Sequence, residues 1–123
     1  MDSFIGSSTT AVLGVALDAA ALRQQAIAHN IANANSPGFR ALDVRFEERF
    51  AQLRSELAQG RALAPSQLAP FQPTLVLQPA GASVALDTEV AKLSEVTLHQ
   101  QVLLKALNHH FSMLNTAINE GKK

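Results

Sequence analysis

Residues 30–39 read Asn-Ile-Ala-Asn-Ala-Asn-Ser-Pro-Gly-Phe, and this stretch decides how the chain folds. Its first four residues keep helical spacing. Pro37 cannot continue a helix, because proline lacks a backbone donor and pushes the residue before it out of the α region. We therefore predict that a long helix ends by about Ser36 and that Gly38 permits a turn.

Two asparagines, Asn30 and Asn33, stand three residues apart just before this turn. Such a pair indicates that the helix end has a specific role. Spacing alone also leaves a second interpretation open, in which both are ordinary residues near a helix C-terminus.

The composition favours a single helical domain. The chain has 123 residues, and its apolar residues are mainly alanine, leucine and valine, with no tryptophan or tyrosine. This favours long helices packed side by side. Ten basic and ten acidic residues give a formal net charge of zero, which argues against binding to nucleic acid or to an anionic membrane. The absence of cysteine excludes a disulfide framework and a thiolate metal site.

The N-terminus does not read as a targeting segment. Residues 1–3 lack the basic charge of a secretory signal peptide, and Asp18 interrupts the apolar stretch 11–22. That stretch is also too short for a transmembrane helix. We expect a protein that is cytosolic or exported without a cleaved signal.

Two stripes with heptad spacing mark the ends of the chain. The first helix is predicted from about Thr9 to Asn35, and the last from Asp87, its N-cap, over roughly thirty residues or about 45 Å. The first stripe comprises Leu13, Leu17, Ala20, Gln24, Ile27, Ile31 and Ala34. The second comprises Val90, Leu93, Thr97, Gln100, Leu104, Leu107, Phe111, Leu114 and Ile118. Alternating steps of four and three residues are typical of helices in a coiled coil.

Some polar residues of these helices have two interpretations. Gln24 and Gln100 are either exposed residues of an imperfect heptad or buried residues that set the register between helices. Glu89 in the first turn, and Lys122 and Lys123 at the chain end, suit the helix dipole.

The middle of the chain reads as a short helix and an extended connector. The helix is predicted over 43–58, with Asp43 as its cap and Gly60 just past its end. Four of the five prolines lie between 65 and 79, which predicts an extended segment with a candidate short strand at 74–77.

Together these features predict an all-α fold, in which the long terminal helices pair as an antiparallel coiled coil. We expect one domain from residues 1–36 with 84–123, and an intervening segment from 37–83. Two helices leave a second apolar face exposed, which usually marks an interface. The isolated monomer is therefore expected to be loosely ordered, above all at its ends.

Parts of the chain resemble a known family. Residues 23–39 resemble the N-terminal motif shared by the rod, hook and hook-associated axial proteins of the bacterial flagellum. Residues 40–46 are similar to the proximal-rod branch of that family, and residues 87–93 and 111–118 read like its final helix. Where the family commonly has Ala-Asp-Thr-Pro-Gly-Tyr, residues 34–39 read Ala-Asn-Ser-Pro-Gly-Phe. The motif residues are Asn30, Ile31, Ala32, Asn33, Pro37, Gly38 and Phe39.

The resemblance implies a structural subunit of the proximal rod, part of the drive shaft that encloses the flagellar export channel. Its implied partners are other rod proteins, membrane-ring adaptor and export-gate proteins, and further copies of itself in a helical tube. Subunits of this family leave the cytoplasm through the flagellar type III apparatus. The residues expected to pack helices and subunits are Leu13, Leu17, Ile27, Ile31, Val90, Leu93, Leu104, Leu107, Phe111, Leu114 and Ile118. The competing hypothesis is a soluble coiled-coil adaptor or chaperone of a type III export system.

Nothing in the sequence favours an enzyme. There is no glycine-rich phosphate loop and no nucleophile elbow. The four histidines, His29, His99, His109 and His110, do not have the spacing of metal ligands. We therefore expect no catalytic, cofactor or metal site and no small-molecule substrate.

Overall fold

The computed structural model describes residues 2–61 and 63–121, with the side chains of 9–61, 63–64 and 66–121. Lys122 and Lys123, the predicted cationic helix end, lie outside the described residues. The elements in chain order are α1 (Asp2–Ala32), β1 (Leu42–Arg45), α2 (Glu47–Ala58), two 3-10 turns (Pro65–Gln67 and Ala69–Phe71), β2 (Thr74–Leu77) and α3 (Leu86–Gly121).

The predicted all-α fold class is wrong, because the chain contains a two-stranded antiparallel sheet. β1 pairs with β2, with Leu42 opposite Leu77 and Arg45 opposite Thr74. β1 alternates apolar and charged residues, and Val44 is buried while the residues on either side of it are exposed. This period of two fits a half-buried strand and would place apolar residues on opposite sides of a helix. β2 coincides with the candidate strand at 74–77.

The short middle helix also starts later than predicted. α2 begins at Glu47, and the residue at its N-cap, Phe46, makes no side-chain capping bond. Asp43 is therefore not the cap: it lies in β1, where its Oδ1 accepts a hydrogen bond from the Val44 N–H at 2.8 Å. The end of α2 agrees with the prediction, because Gly60 has φ +81° just beyond Ala58.

The two long helices pack alongside each other and are antiparallel, since Asn30 near the end of α1 contacts Glu89 in the first turn of α3. α1 ends at Ala32, and a turn follows in which the Ser36 N–H donates to the Asn33 carbonyl at 2.9 Å. α3 has 36 residues, or about 54 Å at 1.5 Å per residue.

The hydrophobic core lies mainly between α1 and the intervening segment. One face of α1 supplies small side chains, which let β1, α2 and the connector approach closely. Phe46, Leu53 and Phe71 fill the space against them. The buried members of this cluster are Val15, Ala19, Ala26, Val44, Phe46, Leu53 and Phe71. The predicted division into 1–36 with 84–123 and 37–83 stays a prediction.

Candidate functional site

The side chain of Asn30 joins three elements at the end of α1. It is only 2% exposed. Its Oδ1 accepts a hydrogen bond from the Leu42 N–H at 2.8 Å, and its Nδ2 donates to the Leu42 carbonyl at 2.9 Å. Nδ2 also donates to the Glu89 carboxylate at 3.3 Å. Because a carboxamide offers a donor and an acceptor side by side whereas an ionised carboxylate only accepts, asparagine suits this position better than aspartate.

The Asn30 amide makes the hydrogen bonds to β1 that a neighbouring strand would otherwise make. Backbone groups alternate in direction along an antiparallel ladder, and the Gln78 N–H donates to the Ala41 carbonyl at 2.8 Å. The N–H and C=O of the next residue, Leu42, therefore point away from β2 and meet Asn30. A helix residue thus satisfies the backbone groups on the outer edge of β1 at that position.

Glu89 extends this junction into α3. Its side chain is buried, with 6% of the residue exposed, and its second oxygen accepts from the Lys92 Nζ at 3.2 Å. The sequence predicts Glu89 only as a favourable charge in the first helical turn. Its contact with Asn30 spans 59 positions of the chain, so no local pattern reveals it.

The rest of the motif forms the turn itself. Asn33 behaves as an ordinary helix-end residue, since its Nδ2 donates to the His29 carbonyl at 2.9 Å. Gly38 has φ +73°, which favours glycine. The Phe39 ring packs against the His29 ring with centroids 5.5 Å apart. Ile31 and Phe39 are half-buried, whereas Ala32, Pro37 and Gly38 are exposed.

Next to the junction, a groove of about 310 Å³ lies between α1, β1 and α3. Ala26, Val44 and Val96 are buried residues of its lining. Arg23 pairs with Glu47 and lies 5.9 Å from the centroid of the Phe46 ring. The charged or titratable residues of the lining are Arg23, Asp43, Glu47, Glu89, Lys92, Glu95 and His99. Among the side chains of residues 9–61, 63–64 and 66–121, no three His, Asp or Glu come together as a metal site.

α3 has an inner face and an outer stripe. The inner face consists of buried or half-buried residues with steps of four and three: Glu89, Leu93, Val96, Gln100, Leu103, Leu107, His110 and Leu114. The outer stripe repeats every seven residues beside it: Val90, Thr97, Leu104, Phe111 and Ile118. Its large apolar members are 46% to 57% exposed. Gln100 on the inner face is half-buried, as is Gln24 on α1, and both interpretations of these residues stay predictions.

The structure separates the residues predicted to pack helices and subunits into two groups. Leu13, Leu17, Ile27, Ile31, Leu93, Leu107 and Leu114 are half-buried within the chain, whereas Val90, Leu104, Phe111 and Ile118 are exposed. Their role in subunit packing stays a prediction.

Comparisons with known proteins point to one family. Residues 12–40 match the family model described as flagella basal body rod protein. The flagellar basal body rod protein FlgB of Bacillus subtilis is 28% identical over 127 residues, covering 94% of this chain and 97% of that protein. FlgB of Escherichia coli is 29% identical over 126 residues, covering 86% and 89%. The chain resembles flagellar rod proteins over nearly its whole length.

A third relative matches a shorter part of the chain. FlgB of Buchnera aphidicola is 43% identical over 47 residues, which are 38% of this chain and 35% of that protein. The resemblance predicted from the sequence is confirmed. The matched family is structural and not enzymatic, so the prediction that the chain is not an enzyme is confirmed as well. The family model spans Asn30 and the turn that follows it, but ends before β1 and Glu89.

No helix within the described residues is long and apolar enough to cross a membrane.

Proposed function

We propose that this chain is a structural subunit of the proximal rod of the bacterial flagellar basal body. In this role it is part of the drive shaft that links the membrane ring and export gate to the distal rod and encloses the export channel. The observation that carries the proposal is the similarity to rod proteins along nearly the whole chain.

The surface of α3 supports an assembly role. Most of the exposed large apolar side chains among the described residues lie on this one helix: Leu86, Val90, Leu98, Val102, Leu104, Phe111, Met113 and Ile118. Exposed apolar surface of this extent usually marks an interface. The outer stripe has the heptad spacing that another helix can pack against. A contact between unlike faces of identical subunits generates an open helical assembly when its rotation does not close into a ring, as a rod requires.

The partners follow from this position in the rod. They are other rod subunits beside and above, and membrane-ring adaptor and export-gate proteins below. Export by the flagellar type III apparatus without a cleaved signal peptide is the route that this position implies. Burial of the outer stripe between subunits turns a loosely ordered monomer into a rigid shaft, because binding stabilises the folded state by mass action.

Fractionation of hook–basal bodies tests the proposal. The chain, detected by a C-terminal epitope tag that preserves motility, is expected in purified basal bodies, and its deletion is expected to abolish rods. A soluble adaptor or chaperone would instead form an ordered oligomer in the cytoplasm. Absence of the chain from basal bodies of motile cells would exclude the rod assignment.

A further inference from the structure

We propose that the outer stripe of α3 packs against α1 of a second copy of this chain, and that Lys105 forms an ion pair there with Asp18 of the second copy. The inference rests on the proposed function, because a rod places subunits side by side. It goes further by naming the partner of the exposed stripe and the charges that fix its position.

α1 turns one face, which we call its outward face, away from the rest of its own chain. All exposed residues of 9–32 lie on this face: Asp18, Gln25, Ala28, His29 and Ala32. The members at steps of three and four residues are exposed or half-buried, and most are small: Ala11, Gly14, Asp18, Ala21, Gln25, Ala28 and Ala32. Small side chains on one helix leave room for large ones on a facing helix, and the outer stripe supplies Leu104, Phe111 and Ile118, which are 46% to 57% exposed.

Each of these two surfaces carries an unpaired charge, and the two charges have opposite signs. Asp18 is the only Asp, Glu, Lys or Arg in residues 3–22, and Lys105 is the only one in residues 96–119. Both side chains are exposed, and neither forms an ion pair with a residue of 9–61, 63–64 or 66–121. Lys105 directly follows Leu104 of the outer stripe. A charge pair beside an apolar seam selects the partner and the register of two packed helices.

The two charges also lie at nearly the same level of the subunit. The contact between Asn30 and Glu89 relates the levels of the antiparallel helices α1 and α3. Asp18 lies 12 positions before Asn30, and Lys105 lies 16 positions after Glu89, which is about 18 and 24 Å at 1.5 Å per residue. A neighbouring copy at the same level therefore presents its Asp18 within about one helical turn of Lys105. The flexible four-carbon stem of lysine adapts to an offset of this size.

A second copy placed in this way allows the contact to repeat. The outer stripe of one copy meets the outward face of the next, so every copy keeps one surface of each kind for a further neighbour. A two-fold contact between two outer stripes would instead bring both Lys105 side chains into one interface and leave both Asp18 side chains outside it. Such a contact has no charge complementarity.

Charge reversal in cells tests the contact. In a strain that lacks its own copy of the gene, Asp18→Lys and Lys105→Asp are each expected to lower incorporation into purified basal bodies by about fivefold or more, because each places like charges at the interface. The double variant restores opposite charges and is expected to regain most of the incorporation. Glu48→Lys is the matched control and should be incorporated normally, because Glu48 is exposed on α2 and lies on neither surface. Loss in the single variants without recovery in the double variant would show that another protein covers these surfaces, and would overturn the proposal.

A cross-link between separate copies identifies the occupant without relying on function. The chain contains no cysteine, so introduced thiols can be joined selectively. Two differently tagged chains, one with Ala21→Cys and one with Gln101→Cys, are produced together, and their basal bodies are treated with a short bismaleimide. We expect a product that carries both tags, because these positions lie about one turn from Asp18 and from Lys105 in the directions that an antiparallel contact aligns. Gln52→Cys on the exposed surface of α2 replaces Ala21→Cys as the control and should give no such product.

The outcomes separate this inference from the proposed function. If basal bodies contain both tagged chains but no product with both tags, the contact proposal fails while the rod assignment stands. The same holds if both charge reversals are incorporated like the unsubstituted chain. If the unsubstituted chain is itself absent from basal bodies, the rod assignment fails. Purified single variants with the urea midpoint of the unsubstituted chain, as expected for exposed positions, show that lost incorporation reflects the contact and not the fold.

Discussion

Replacing Asn30 with alanine removes all the hydrogen bonds by which this side chain joins α1 to β1 and α3. The bonds of 2.8 and 2.9 Å to the Leu42 backbone contribute about 1 kcal/mol each in net terms. The bond to Glu89 is long at 3.3 Å, so we assign it about 1 kcal/mol, below the usual range for a charged acceptor. Asn30→Ala is therefore expected to lower the free energy of unfolding by about 3 kcal/mol.

Urea denaturation of the purified full chain, followed by far-ultraviolet circular dichroism, measures this loss. In a thermal scan it corresponds to a fall in Tm of roughly 10 °C for a domain of this size. Asn33→Ala is the matched control: it removes one bond of 2.9 Å to the His29 carbonyl at an exposed helix end, which contributes less than about 1 kcal/mol. If the two variants differ by less than about 1 kcal/mol, the junction does not contribute the stability argued from its geometry.

Asn30→Asp keeps the size of the side chain and changes only its hydrogen-bonding groups and charge. The aspartate can still accept from the Leu42 N–H, but it cannot donate to the Leu42 carbonyl, and it places a second carboxylate beside the buried Glu89. Two like charges at this separation repel strongly when they are poorly solvated. Asn30→Asp is therefore expected to be at least as destabilising as Asn30→Ala near neutral pH. A clearly smaller loss would show that the Glu89 contact is unimportant.

Two further pairs of variants test the turn and the two faces of α3. Gly38→Ala and Gly14→Ala should have opposite effects on stability, although an added Cβ meets open space at both sites. Gly38 has φ +73°, so alanine there lowers the unfolding free energy by about 1–2 kcal/mol. Gly14 lies in the interior of α1, where alanine raises the unfolding free energy by about 0.5–1 kcal/mol. Equal urea midpoints for the two variants would contradict this. Leu104→Glu on the outer stripe should change monomer stability by no more than about 0.5 kcal/mol, and Leu107→Glu on the inner face should lower it by about 2 kcal/mol. Both should block incorporation into basal bodies more than export, and normal motility in either variant would show that its position is not needed for rod assembly.

The sequence predicts the long elements well because their signals are local. Heptad spacing predicts the two terminal helices, and the proline-glycine turn predicts that the first helix ends before Pro37; α1 in fact ends earlier than the predicted Asn35, at Ala32, and the turn follows. β1 is missed although Leu-Asp-Val-Arg alternates apolar and charged residues, because Asp43 also reads as a helix cap. The correct interpretation depends on β2 and on Asn30, which pair with β1 from distant parts of the chain. The groove is unpredictable for the same reason, since its walls come from three separate elements.

The heptad pattern of α3 shows what such spacing leaves undetermined. The predicted stripe merges residues of two different surfaces. Leu93, Gln100, Leu107 and Leu114 belong to the inner face, and the other members form the outer stripe, whose large apolar side chains are exposed. Hydrophobic spacing indicates that a helix has partners, but not whether they belong to the same chain. Here the inner face includes polar residues, among them the buried Glu89 and His110, while Leu104 and Phe111 remain exposed. The fold of the monomer thus uses the more polar surface of α3 and leaves its apolar stripe exposed, which supports the proposed packing against a neighbouring subunit.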